Sequence, residues 1–84
     1  MKVTVYSKPN CQLCSSAKLL LSYNDIEFAE VVVDVGQPKE DGATYITANE
    51  LRAMHPEIRS VPQVFIDGER IGGYAELKKY LSRH

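Results

Sequence analysis

The only two cysteines of this chain, Cys11 and Cys14, stand three positions apart in the stretch SKPNCQLCSSAKLL. Sulfur at that spacing can close a small disulfide staple, supply half of a zinc tetrahedron, or cycle between dithiol and disulfide. A staple this short removes about 2 kcal/mol of unfolded-chain entropy on the loop-closure estimate, less than a long-range bridge would. A mononuclear zinc site takes about four ligands. Beside the cysteines the chain offers only His55, before Pro56 at the end of a candidate helix, and His84 at its last position. A metal site would therefore need two chains or an exogenous thiol.

The redox reading fits the local pattern better. Residues i and i+3 of a helical turn lie roughly 5–6 Å apart at Cβ, a separation that small adjustments bring to bonding geometry. Cys11 falls on the polar stripe of the candidate helix, with Ser15, Lys18 and Ser22. In the first turn, unpaired N–H groups and the positive end of the helix dipole favour a thiolate. Lys8 adds a nearby positive charge. An ordinary thiol with pKa about 8.5 is only about 3% ionised at pH 7; lowering that value to about 7 takes about 2 kcal/mol and makes it half ionised. Cys14 falls on the apolar stripe with Ala17 and Leu21, and Leu13 and Leu20 beside them. In this assignment Cys11 attacks a disulfide and Cys14 resolves the mixed intermediate.

The elements that must hold such a pair can be read from periodicity. KVTVYS alternates, with Val3 and Val5 on one face and Thr4 and Tyr6 on the other, as a strand does. A helix follows from Cys11 and stops at Asn24-Asp25. FAEVVVDV predicts a second strand buried on both faces, and residues 36–45, GQPKEDGATY, predict a loop. Thr47 and Glu50 have the spacing of a capping box, opening a helix with Leu51, Met54 and Ile58 inward and Pro56 barring continuation. PQVFIDGERIGG predicts two short strands turned at Asp67-Gly68. YAELKKYLSR predicts a last amphipathic helix with Tyr74, Leu77 and Leu81 inward. The order is β-α-β-α-β-β-α: an α/β chain with a four-stranded mixed sheet and helices on both faces.

Residues 1–84 read as one domain. A formal charge of −1 and scattered Lys and Arg exclude a general nucleic-acid or anionic-membrane binder. No apolar run is long enough to span a bilayer. MKVTVYSKPN is too short and too alternating for a signal peptide. A cytoplasmic chain is expected, where paired cysteines usually bind metal or do redox work.

CQLC after a first strand, SVPQVFIDG further along and IGGY before the last helix together resemble the glutaredoxin family, in its order and spacing, across residues 2–81. The resemblance implies the thioredoxin fold and a glutathione-dependent thiol–disulfide oxidoreductase. Such an enzyme reduces protein disulfides and glutathione mixed disulfides in electron transport and cell redox homeostasis, with ribonucleotide reductase as a candidate acceptor. It implies Cys11 and Cys14 as the catalytic pair, no metal or tightly bound cofactor, glutathione as reducing co-substrate, and a monomer. For glutathione it implies Lys8 against a carboxylate, Leu13 in the groove, and Ser60 where the family usually has Thr. Val61-Pro62 matches the family's cis-proline step, at which the Val61 backbone pairs with a bound thiol peptide. Gly72-Gly73 matches its diglycine, with Tyr74 and Glu76 after it. Two departures stand out: CQLC replaces Cys-Pro-Tyr-Cys, and one carboxylate, Glu76, follows the diglycine. They bring the site nearer to redoxins served by thioredoxin reductase; an iron–sulfur cluster module is a further alternative.

Overall fold

The computed structural model describes residues 1–33 and 42–82. Its elements are β1 (Val3–Ser7), α1 (Gln12–Tyr23), β2 (Ala29–Val33), β3 (Thr44–Ile46), α2 (Ala48–Met54), β4 (Gln63–Ile66), β5 (Glu69–Gly72) and α3 (Tyr74–Ser82). The sheet has five strands in the order β3-β2-β1-β4-β5 rather than the four expected. The extra strand, β3, begins within residues 36–45, which read as loop, and runs one residue past them. It pairs parallel with β2, Val31 opposite Thr44 and Val33 opposite Ile46. Three residues are too few to display an alternating pattern, so the partner strand, not the local sequence, makes Thr44–Ile46 extended. The remainder of that loop, the last two residues of FAEVVVDV, Arg83 and His84 lie outside the described residues.

Strands β1, β2 and β3 run parallel, and β4 runs antiparallel to both β1 and β5. Hence β1, β3 and β5 all end at one edge of the sheet. Helices α1, α2 and α3 follow those strands directly, so all three begin there. The Val61-Pro62 step precedes β4, which enters from the same edge.

Alternation along β1 and β4 divides the interior into two layers. On one face Val3, Val5, Val64 and Ile66 pack with Ala17 and Leu21 of α1 and Leu77 of α3. On the other, Tyr6 and Phe65 pack with Leu51 of α2 and Ile58. The helices therefore cover both faces as expected. Two buried positions differ from expectation. The valines of β2 are not buried on both faces: Val32 is buried and its neighbours are half-covered, because β2 has only the short β3 beyond it. Met54 is 52% exposed rather than inward. The His55 ring packs against Phe65 instead, with centroids 4.7 Å apart.

Local chemistry explains the helix ends. The Thr47 hydroxyl accepts from the Glu50 N–H, and the Glu50 carboxylate from the Thr47 N–H, a complete capping box. The Asn24 side chain donates to the Leu20 carbonyl at 2.8 Å, closing α1. At the hairpin, Asp67 and Gly68 both take positive φ, 52° and 84°, as a two-residue turn between right-twisted strands requires.

Candidate active site

Cys11 is the N-cap of α1, just outside its first turn. Its backbone is extended, and its sulfur accepts the Cys14 N–H at 3.2 Å. The two cysteines are disulfide-bonded with Cα atoms 5.2 Å apart. Cys14 is 1% exposed in line with Ala17 and Leu21, while Cys11 is half-covered at the surface. The sequence therefore places one sulfur outward, among the free N–H groups of a helix start, and the other in the core. Leu13, between them, does not join the inward stripe. It is 57% exposed and points into a cleft.

That cleft, about 280 Å³, is lined by Leu13, Ser60, Val61, Pro62, Gly73, Tyr74 and Glu76 among others. Sequence positions some fifty residues apart thus meet at the edge where the helices begin. The Val61-Pro62 peptide bond is cis. Lys8 lines a neighbouring pocket that shares Ser60 and Val61 with the cleft.

Gly72 and Gly73 have distinct tasks. Gly72 is buried with φ 128°, and a Cβ there would come within 2.7 Å of Glu76 Cγ. Only glycine meets both conditions without strain. Gly73 caps α3: its carbonyl accepts the Leu77 N–H at 2.9 Å, and its N–H donates to Glu76 Oε1 at 2.8 Å. The one carboxylate after the diglycine is therefore held back onto its own helix start.

Three groupings escaped the reading of the sequence. The buried Ser7 hydroxyl and Lys18 Nζ both donate to Glu30 Oε2, each at 2.7 Å. This network ties α1, one turn after Cys14, to the end of β1 and the start of β2. On the opposite face, His55 Nε2 lies 3.2 Å from the Tyr6 hydroxyl and His55 Nδ1 lies 3.3 Å from Glu57 Oε1. Its ring nitrogens thus face hydrogen-bond partners within the fold. Among the described residues no three His, Cys, Asp or Glu side chains converge on a metal position. Third, Arg52 and Arg59 join Lys8 around its pocket. The only local signal for any of these was that Arg59 immediately precedes Ser60-Val61-Pro62. No helix among the described residues is long and apolar enough to cross a membrane.

Comparison with known proteins agrees with this geometry. A family model described as Glutaredoxin matches residues 3–71. Glutaredoxin 3 of Escherichia coli K12 is 32% identical over 75 residues, covering 89% of this chain and 80% of that protein. The Hybrid peroxiredoxin hyPrx5 of Haemophilus influenzae is 31% identical over 80 residues. That match covers 95% of this chain, which spans only 29% of the hybrid protein's length. A buckwheat glutaredoxin–glutathione complex superimposes with a TM-score of 0.72 at 26% identity, over 96% of this chain and 68% of that one. With a cysteine pair at a helix start, a cis-proline step and a capped diglycine brought to one edge of a mixed sheet, the chain belongs to the glutaredoxin family, whose chemistry is thiol–disulfide oxidoreduction.

Proposed function

We propose that this chain is a glutathione-reduced dithiol oxidoreductase of the cytoplasm, working as a monomer on protein disulfides and glutathione mixed disulfides, with ribonucleotide reductase among its acceptors. The observation that carries the proposal is the single cleft in which Leu13, Val61, Pro62, Gly73 and Tyr74 meet, beside the helix start that holds the outward sulfur. The glutathione-bound structure of a related buckwheat protein supports the choice of reductant.

In the reduced enzyme the Cys11 thiolate is stabilised by the Cys14 N–H, already aimed at its sulfur, and by the α1 start. It attacks one sulfur of the substrate disulfide. The S–S bond breaks, and the other substrate sulfur leaves as a thiolate and takes a proton from water. Cys14 then loses its proton and attacks the Cys11 sulfur, expelling the second substrate thiolate. Two electrons have passed to the substrate, and the Cys11–Cys14 disulfide remains. Two glutathione thiols reverse this in two exchanges and leave as glutathione disulfide. Glutathione enters along the cleft, with its cysteinyl backbone paired to Val61 beside Ser60 and Pro62. Lys8 meets one of its carboxylates, and the Gly72-Gly73-Tyr74 side, with Glu76, meets its amino end.

One observation favours a second reductant. The Glu76 carboxylate is already engaged by the Gly73 N–H, which leaves glutathione's amino group a shared partner; thioredoxin reductase is the second reading. Parallel turnover assays, one coupled through glutathione and the other through thioredoxin reductase, decide between them. In the glutathione assay Cys11→Ser is expected to abolish turnover. Cys14→Ser is expected to retain reduction of a glutathione mixed disulfide, because a second glutathione can do the resolving. The reverse pattern would exchange the two roles.

A further inference from the structure

Resolution requires Cys14 to lose a proton, and Cys14 is 1% exposed. Burial penalises the thiolate, so the proton of such a thiol needs an acceptor within the fold. The parallel register, Val5 opposite Glu30 and Ser7 opposite Val32, puts Ser7 and Glu30 on the face that carries Val5. Val5 packs there with Ala17 and Leu21 of α1. Helix α1 starts at the edge where β1 ends, so its first turn, with Cys14, lies toward Ser7. Ser7 is itself 1% exposed. Its hydroxyl proton is given to Glu30 Oε2, which leaves the Ser7 oxygen free to accept. The other buried polar side chain among the described residues, Gln63, is opposite Tyr6 on the other face. Glu30 in turn reaches water, since it lines a cleft of about 240 Å³ with Phe28, Gly42 and Thr44. A path for a proton thus runs from the buried end of β1 to solvent. Lys18, one turn after Cys14 on α1, donates to the same Glu30 oxygen.

We infer that Glu30 accepts the Cys14 proton in the resolving exchange, through the Ser7 hydroxyl, with Lys18 as the counter-charge. This role rests on the redox reading above and completes its second step. The Cys14 thiol gives its proton to the Ser7 oxygen as the Ser7 proton passes to Glu30 Oε2. The Cys14 thiolate then displaces the substrate thiolate from the Cys11 sulfur. Glu30 afterwards returns its proton to water through the cleft, and the departing thiolate takes one from water. Before the transfer the Lys18 ammonium is paired with the Glu30 carboxylate. After it the carboxylate is neutral, and the ammonium is left to balance the new thiolate. The total charge of the group is unchanged throughout, so no net charge is created in the interior. The other titratable side chains packed on this layer are the phenols of Tyr74 and Tyr80 on α3, while β4 contributes Val64 and Ile66.

The test follows the full chain, reduced and freed of reductant, as it reacts with an equimolar bis(nitrobenzoate) disulfide, whose released thiolate is coloured. The first release reports attack by Cys11, and the second reports displacement by Cys14. In Glu30→Gln and in Ser7→Ala the first release is expected to stay within about twofold of the unaltered rate, which also shows that each variant is folded. The second release is expected to slow at least about tenfold at about pH 7. By about pH 10, where an ordinary thiol ionises without help, that gap is expected to close to within about threefold. A second release that keeps its rate at about pH 7 in either variant would overturn the inference while leaving the redox chemistry standing. A slowing of the same size at every pH would overturn it too, because the network would then only hold α1 in place. An unaltered chain that gives no second release would overturn the redox reading, and the role of Glu30 with it.

Discussion

The two faces of the sheet are built differently, although the same strands supply both. Against α1 and α3 the contacts are aliphatic and closed, and Val5, Ala17, Leu21, Val64 and Leu77 have no exposed surface. Against α2 they are aromatic and slightly open: Tyr6, Leu51, Ile58 and Phe65 each retain 6–9% exposure. There the His55 ring joins Tyr6 and Phe65. The first face carries the helix whose start holds the cysteines, and dense packing there keeps the outward sulfur and the buried one in fixed relation. The second face carries a helix of seven residues and borders the pocket lined by Lys8, Arg52 and Arg59. One face is closed beneath the cysteine pair, and the other leaves its aromatic layer slightly open.

Breaking the closed face should have the largest effect. Leu21→Ala is expected to cost about 3–5 kcal/mol of unfolding free energy, and Leu51→Ala, at 7% exposure, nearer 2–3 kcal/mol; urea denaturation of the two variants measures the gap. Equal losses would mean that the faces are equally packed. The starts of α3 and α2 extend the comparison to smaller effects. Gly72→Ala puts a Cβ against Glu76 at a positive φ and is expected to cost about 1–3 kcal/mol. Because it displaces the Gly73 cap beside the cleft, it should also slow exchange with glutathione, read by stopped-flow kinetics. Thr47→Ala removes half of the α2 capping box and is expected to cost about 1 kcal/mol. Amide hydrogen exchange should show that loss confined to α2, with the α1 amides protected as before.

Much of the first face and of the reactive centre was legible in the residues. The Cys11–Cys14 spacing, the change from alternating to helical period at Cys11, the Thr47 and Glu50 cap and the Asp67-Gly68 turn are local events, each settled within a few positions of chain. The cis bond at Val61-Pro62 followed from family resemblance rather than from local pattern. Several features were misread or missed. Thr44–Ile46 is a strand because β2 offers it an edge. Leu13 leaves its stripe because the first turn of α1 borders a cleft. Met54 is exposed because His55 takes the place against Phe65. Arg52 and Arg59 read as scattered surface because they belong to segments far from Lys8 in sequence.

The sequence alone determined which atoms can exchange electrons, where the helix that activates them begins, and that strands and helices alternate. These depend on side-chain chemistry and on periods of two and 3.6 residues, which are short-range properties. Only the tertiary structure decided that Glu76 caps its own helix, that Ser7, Glu30 and Lys18 lock α1 to two parallel strands, and that three distant cations surround one pocket. Those outcomes depend on which chain segments the sheet order brings side by side, and strand register and crossover leave no trace in a local window of residues.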